Sequence, residues 1–119
     1  MARDQQAPKL CGQLLSGPML DDRNTTVSAQ QSLDLNDGSY DTTQNRTAWG
    51  FVLGDRAAGS DVSCYNVAPA RAHDLFRLPQ AYIDVGLNKL FRDEAVAYTL
   101  RMWEGGSQAD LHVWAGGCL

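Results

Sequence analysis

The stretch from Ala81 to Trp114 limits the possible folds more than any other. It opens on Ala-Tyr-Ile-Asp-Val, residues 81–85, a short apolar run of strand length. A brief polar loop with Asn88 and Lys89 follows. Asp93 can then cap a helix over 93–104, in which Val96, Leu100 and Trp103 recur at i, i+4 and i+7. Gly105-Gly106 ends it. Residues 109–114 alternate Leu111 and Val113 against Asp110, His112 and Trp114, the pattern of a half-exposed edge strand. Strand, helix of about 10–15 residues, then strand predicts a parallel βαβ unit.

Upstream, Lys9 to Leu20 is an apolar run that breaks at Gly17-Pro18. It predicts a strand over 10–16, buried on both faces as a strand in a parallel sheet would be. Residues 21–43 have the Asp, Asn, Ser and Thr content of a loop, a long one for a compact domain. A short helix is expected over 45–53, with Trp49, Val52 and Leu53 on one face and Gly54 as its C-cap. Gly59, Pro69 and Pro79 punctuate the connector to residue 81. The fold class is therefore α/β: about three parallel strands with flanking helices, in one domain over 1–119.

The chain has 119 residues, enough for one modest core. The net charge is −4 and the ten basic residues are scattered. A nucleic-acid surface or an anionic membrane is not the expected partner. No apolar run approaches the ~20 residues that span a bilayer. The first ten residues have no apolar core of a secretory signal, so a cytoplasmic location is expected. Cys11, Cys64 and Cys118 form no metal-type spacing and are expected as reduced thiols. The acceptor triplets at Asn24 and Asn45 are expected to be coincidental.

Chemistry-bearing motifs are sparse. A nucleophile elbow requires Gly-x-Ser-x-Gly between a strand and a helix, and the 119 residues contain none. Ser107 lies in Gly-Gly-Ser-Gln-Ala, between a helix and a strand, which is the wrong context. Cys11 and Cys118 have no base at a useful spacing. His73 and His112 are the only histidines; a local hydrogen bond is expected for His73 and a solvated edge position for His112. No metal or cofactor site is expected, because neither histidine has clustered ligands and no phosphate-binding glycine loop is present. Asp21 and Asp22 follow the first strand. The C-terminal edge of a parallel sheet is where ligands bind, so they are candidate site residues beside their default turn and capping roles.

Four segments, Pro-Met-Leu-Asp-Asp-Arg-Asn, Asp61 to Gly86, Leu90 to Tyr98 and Ala109 to Gly117, occur in an order that resembles the C-terminal part of the hormone-sensitive-lipase-like esterases. That resemblance implies part of an α/β-hydrolase fold with an incomplete sheet. It implies carboxylic-ester hydrolysis by a serine, an acid and a histidine in that chain order. The family's serine lies in Gly-Asp-Ser-Ala-Gly, before the helix that leads into a segment like residues 2–15. Its acid stands three residues before the arginine of the Phe-Arg-Asp-Glu segment, a position held here by Lys89. Its histidine follows the last Gly-Gly by two residues, a position held here by Leu119. The ammonium of Lys89 would repel the imidazolium that a triad acid stabilises, while alternation and capping point Asp84 and Asp93 elsewhere. The resemblance therefore implies a catalytically inactive truncated hydrolase. Two alternatives stand beside it. One is an interaction or regulatory module that pairs with itself or a complementary esterase fragment through the open edge at Leu10 to Ser16. The other is an ester hydrolase, completed in trans or using unrecognised groups.

Overall fold

The computed structural model describes residues 3–6, 8–34, 39–54 and 65–116. Strand β1 is Gln13–Ser16, helix α1 Val27–Asp34 and helix α2 Thr42–Leu53. A 3-10 turn, Pro69–Arg71, precedes strand β2, Ala81–Gly86. Helix α3, Arg92–Glu104, leads into strand β3, Ala109–Trp114. The strands form one sheet in the order β1-β2-β3, parallel throughout. The βαβ unit thus stands as β2-α3-β3.

Side chains in register share a face. Leu15, Ile83 and Leu111 are aligned across the three strands, as are Ser16, Asp84 and His112. The face of Leu15, Ile83, Val85 and Leu111 packs on Ala95, Tyr98 and Met102 of α3 and on Leu20, Ala72 and Leu75 of the connecting loops. Trp49, Leu53 and Ala68 form a second small core, with Met19 and Val67 against it.

The first strand is shorter than the 10–16 expected, and it is not buried on both faces. Leu14 is 73% exposed, because the face it shares with Tyr82 and Asp84 has no helix over it among the described residues. The 21–43 stretch is not all loop. Helix α1 lies within it, with weak helix formers that caps compensate. Thr26 Oγ1 accepts from the Ala29 N–H at 3.2 Å and the Asp93 carboxylate accepts from the Ser28 N–H at 2.7 Å. Asp93 was expected to cap its own helix. It caps α1 instead, and α3 begins at Phe91 without a side-chain cap.

Helix α2 starts at Thr42 rather than 45. Asp41 accepts from the Gln44 N–H at 2.9 Å, and Gln44 Oε1 accepts from the Asp41 N–H at 3.1 Å, a complete capping box. Its inward stripe is Thr42, Asn45, Trp49 and Leu53; Val52, expected there, is 54% exposed. The stripe of α3 is likewise rotated from the expected one. Ala95, Tyr98, Thr99 and Met102 are buried, whereas Leu100 and Trp103 are about half exposed. The small Ala95 and Thr99 share the inward stripe with the large Tyr98 and Met102, and together they fill the space against the sheet. Gly105 closes α3. A Cβ there would stand 3.1 Å from the Leu75 backbone carbon, a tight contact that a side chain could make only if the 75–76 backbone gave way by a few tenths of an ångström.

The rotated stripe has a measurable consequence. Met102→Ala is expected to cost ~2–5 kcal/mol of unfolding free energy. Leu100→Ala is expected to change it by less than about 0.5 kcal/mol. Urea unfolding of both variants checks this; equal losses would place the wrong face inward.

Candidate functional site

The C-terminal edge of the sheet carries the loops that follow β1, β2 and β3. Gly17, with φ +54°, turns the chain out of β1, and its N–H donates to the Asp84 carbonyl at 2.8 Å. The next segment is fixed at Leu20. Its side chain is in the core, its N–H donates to Glu94 Oε1 at 2.7 Å, and its carbonyl accepts from the Ala70 N–H at 3.0 Å.

The carboxyl of Glu94 is 4% exposed as a residue. Burial pushes its pKa up from an ordinary 4.5 to about 8; the bond from the Leu20 N–H opposes this, and the nearby Asp21 charge adds to it. Beside it, Asp22 is buried and takes a two-pronged ion pair from Arg71, Nε to Oδ1 at 2.8 Å and Nη2 to Oδ2 at 3.1 Å. Arg101 of α3 donates to the carbonyls of Ala70 and Ala72, which holds the 3-10 turn that carries Arg71. Asp21 pairs with Arg23, two residues on. Both candidate aspartates are thus consumed in structure.

Asn24 sits at φ +54° with its Nδ2 on the Asp22 carbonyl at 3.0 Å. Its Oδ1 accepts from Asn45 Nδ2 at 2.6 Å. The two acceptor-triplet asparagines are therefore buried and bonded to each other, which leaves neither amide nitrogen available for a glycan in the fold.

The loop after β2 is a tight turn. Leu87 N–H donates to the Trp114 carbonyl at 2.9 Å, and Lys89 N–H to the Gly86 carbonyl at 3.1 Å. Arg92 reaches back to the Leu87 carbonyl at 3.1 Å, across to Gln31 Oε1 at 3.1 Å, and to Asp93 at 2.7 Å. Burial raises the pKa of Asp93, but the bonds from Arg92 and Ser28 outweigh it and hold the carboxyl below its ordinary value. Lys89 lines a shallow hollow of about 380 Å³ with Ser28, Gln31, Asp34, Asn88 and Arg92. Two cations and a carboxylate bound it. Leu87 adds apolar wall, and the hollow is open to solvent, unlike a pocket that encloses a small organic ligand.

The other candidates fall elsewhere. Ser107 is buried at the opposite end of the sheet. Its Oγ donates to the Leu75 carbonyl at 2.7 Å and accepts from the Leu78 N–H at 3.1 Å, so it anchors a loop. Cys11 is an exposed free thiol, not a residue inside a strand. His73 is exposed. Cys64, Cys118 and Leu119 lie outside the described residues. Among the described residues no three potential ligands cluster for a metal, and no helix is long and apolar enough to cross a membrane.

One row of side chains has the composition of a triad. Ser16, Asp84 and His112 are register partners on the open face. Their order is wrong for the chemistry. The histidine must stand between serine and acid to take the proton, and here the acid stands in the middle. Ser16 and His112 are two strand spacings apart, roughly 10 Å. Asp84 Oδ2 is already engaged by Trp114 Nε1 at 3.2 Å.

Similarity to known proteins agrees with the sheet and its loops. The family model described as alpha/beta hydrolase fold matches residues 1–118. The chain belongs to this family. A solved bacterial heroin esterase is 31% identical, with a TM-score of 0.87 over 94% of this chain and 35% of that one. The esterase LipW from Mycobacterium marinum is 28% identical, with a TM-score of 0.81 over 95% and 33%. An esterase of the bacterial hormone-sensitive lipase family shares the fold, at 24% identity and a TM-score of 0.83 over 96% and 36%. The chain thus spans about a third of the length of these neighbours. No curated protein matches it.

The Glu94 carboxyl yields a pH signature. Below pH 4.5 both folded and unfolded chains hold this proton. Between 4.5 and about 8 the folded chain keeps it and the unfolded chain has released it. Raising the pH through that window therefore draws the equilibrium toward the unfolded state. Stability is expected to fall by something on the order of a few kcal/mol across it, and Glu94→Gln is expected to flatten the slope. Chemical unfolding at pH 5, 6.5 and 8 measures both; a slope unchanged by Glu94→Gln would contradict the assignment.

Proposed function

We propose that this chain is an esterase-like hydrolase scaffold that does not turn over esters by itself. The observation that carries the reading is Lys89. By the resemblance in sequence it takes the place of the family's acid; it lies on the turn after β2, which its backbone bonds to Gly86 and Arg92 keep compact. An ammonium there opposes an imidazolium rather than stabilising it. The engaged aspartates Asp21 and Asp22 offer no substitute. Among the described residues, the row of Ser16, Asp84 and His112 has its members in an unproductive order. The substrate class of the parent activity is carboxylic esters, by likeness to the bacterial heroin esterase and LipW. We place the chain in the cytoplasm, with reduced thiols.

A second reading is favoured by a specific feature. Among the described residues, strand β1 is the sheet's edge and pairs only with β2. Its outer backbone groups can take another strand. Pairing with a complementary esterase polypeptide would convert the scaffold into part of a working hydrolase.

Hydrolysis of p-nitrophenyl acetate and butyrate by the purified chain tests the first reading. The expected rate equals that of Ser16→Ala and of buffer. Saturable turnover that Ser16→Ala or His112→Ala abolishes would contradict it.

A further inference from the structure

A second hollow lies at the other end of the sheet from Lys89. It has a volume of about 760 Å³ and opens where the chain enters β1 and β2, against Tyr98 of α3. Its wall is mostly apolar, with Leu10, Pro69, Leu78 and Pro79 in it, as in a site that takes a small organic molecule. Its charges have one sign: Arg3, Lys9 and Arg77 line it and no carboxylate does. Arg3 is engaged by Asp4, Asp74 and the Phe76 carbonyl. Lys9 and Arg77 have no ion pair among the described residues. The Arg77 guanidinium lies 5.0 Å from the centroid of the Phe76 ring, a contact that leaves its N–H edge for an acceptor.

Tyr98 supplies an independent observation. It lines the hollow, is 4% exposed, and its hydroxyl has no hydrogen-bond partner among the described residues. Burial raises its pKa, and the charges of Arg101 and Arg3 oppose this only in part, so the hydroxyl keeps its proton at neutral pH. A buried donor calls for an acceptor. The backbone adds to this. Gln6 and Arg77 both line the hollow, and they are two of the three non-glycine residues with positive φ among the described residues, at +51° and +56°. Such outliers gather at ligand clamps.

We propose that this hollow binds a monocarboxylate with an apolar body, such as a medium-chain fatty acid. The body lies on the apolar wall. The carboxylate meets the charges of Lys9 and Arg77 and accepts a hydrogen bond from the Tyr98 hydroxyl. The wall favours a hydrocarbon body, which inorganic phosphate lacks, and the cations favour a negative head, which a neutral amphiphile lacks. Lys9 and Arg77 are exposed, so each contributes modestly and is screened by salt. The shielded tyrosine bond to a charged acceptor is the stronger one. The hollow is separate from the turn that carries Lys89, so the proposal stands apart from the scaffold reading.

Calorimetric titration of the full chain with octanoate is the test, with octanamide, acetate and inorganic phosphate as comparisons. Octanoate is expected to bind saturably, and each of the other three about ten-fold more weakly or worse. Lys9→Gln and Arg77→Gln are each expected to weaken octanoate about three-fold, and Tyr98→Phe about ten-fold. None of the three should alter the weak binding of octanamide. Added salt is expected to weaken octanoate and leave octanamide unchanged. Lys9 and Arg77 are exposed, so their variants decide the matter even if Tyr98→Phe fails to fold. Four results would each overturn the proposal: no saturable binding of octanoate, octanamide as tight as octanoate, phosphate as tight as octanoate, or an affinity unchanged by both Lys9→Gln and Arg77→Gln. No outcome depends on ester turnover, so failure here and failure of the scaffold reading are separable.

Discussion

One buried hydrogen bond fixes how the segment after β1 meets helix α3. Leu20 leaves β1 with its N–H on the Glu94 carboxyl at 2.7 Å. The partners are 74 residues apart in sequence and meet in a buried setting. A lone backbone donor there would forfeit its solvation without compensation. Glu94, in turn, is buried at the first turn of α3 and needs that donor. Once Leu20 is fixed, its carbonyl takes the Ala70 N–H, and the turn bearing Arg71 comes within reach of Asp22. Arg101 holds the same turn from the other end of α3. The loops at the sheet's C-terminal edge are thus assembled from buried polar groups that satisfy one another, which is the condition under which such groups are tolerated in a core.

That assembly also decides what the edge can do. In a hydrolase of this family the region would present groups to a substrate. Here Asp21, Asp22, Asp93 and Glu94 are all bound to partners within the fold, and Lys89 adds a positive charge on the turn after β2. Polar density is high, but it is directed inward. The open sheet face has the converse character. Its rings and its aspartate are organised, yet they are not closed over. The contrast separates a polar edge closed on itself from an open sheet face.

Much of the architecture was legible in the sequence. The β2-α3-β3 unit follows from the spacing of apolar runs and from Gly105-Gly106, and residue order across four segments indicated the hydrolase family. What was misread shares a cause. Helix α1 has few strong helix formers, and its second cap, Asp93, comes from a residue 65 positions away from Ser28; no local pattern reports such a cap. The Asp41 to Gln44 capping box was a local signal and could have placed the start of α2. The face of α3 was assigned to Val96, Leu100 and Trp103, whereas the sheet takes Ala95, Tyr98, Thr99 and Met102. At the site, the Asp22 to Arg71 pair spans 49 residues, and the Asn24 to Asn45 bond joins two triplets that read alone as surface features. Tertiary pairing of polar groups is the information that periodicity does not carry.

Native-state hydrogen exchange of the Leu20 amide tests the central role of its bond to Glu94 most directly. At fixed pH, with increasing denaturant, Leu20 should exchange with the same opening free energy as the core strand residue Ile83, because the link breaks only when the whole fold opens. Glu94→Ala should lower protection at Leu20 and at Ala70 together. Exchange at Leu20 as fast as at the exposed turn residue Asn88, with Ile83 still protected, would contradict the account: the β1 loop would then be an appendage, and the fold would stand without it.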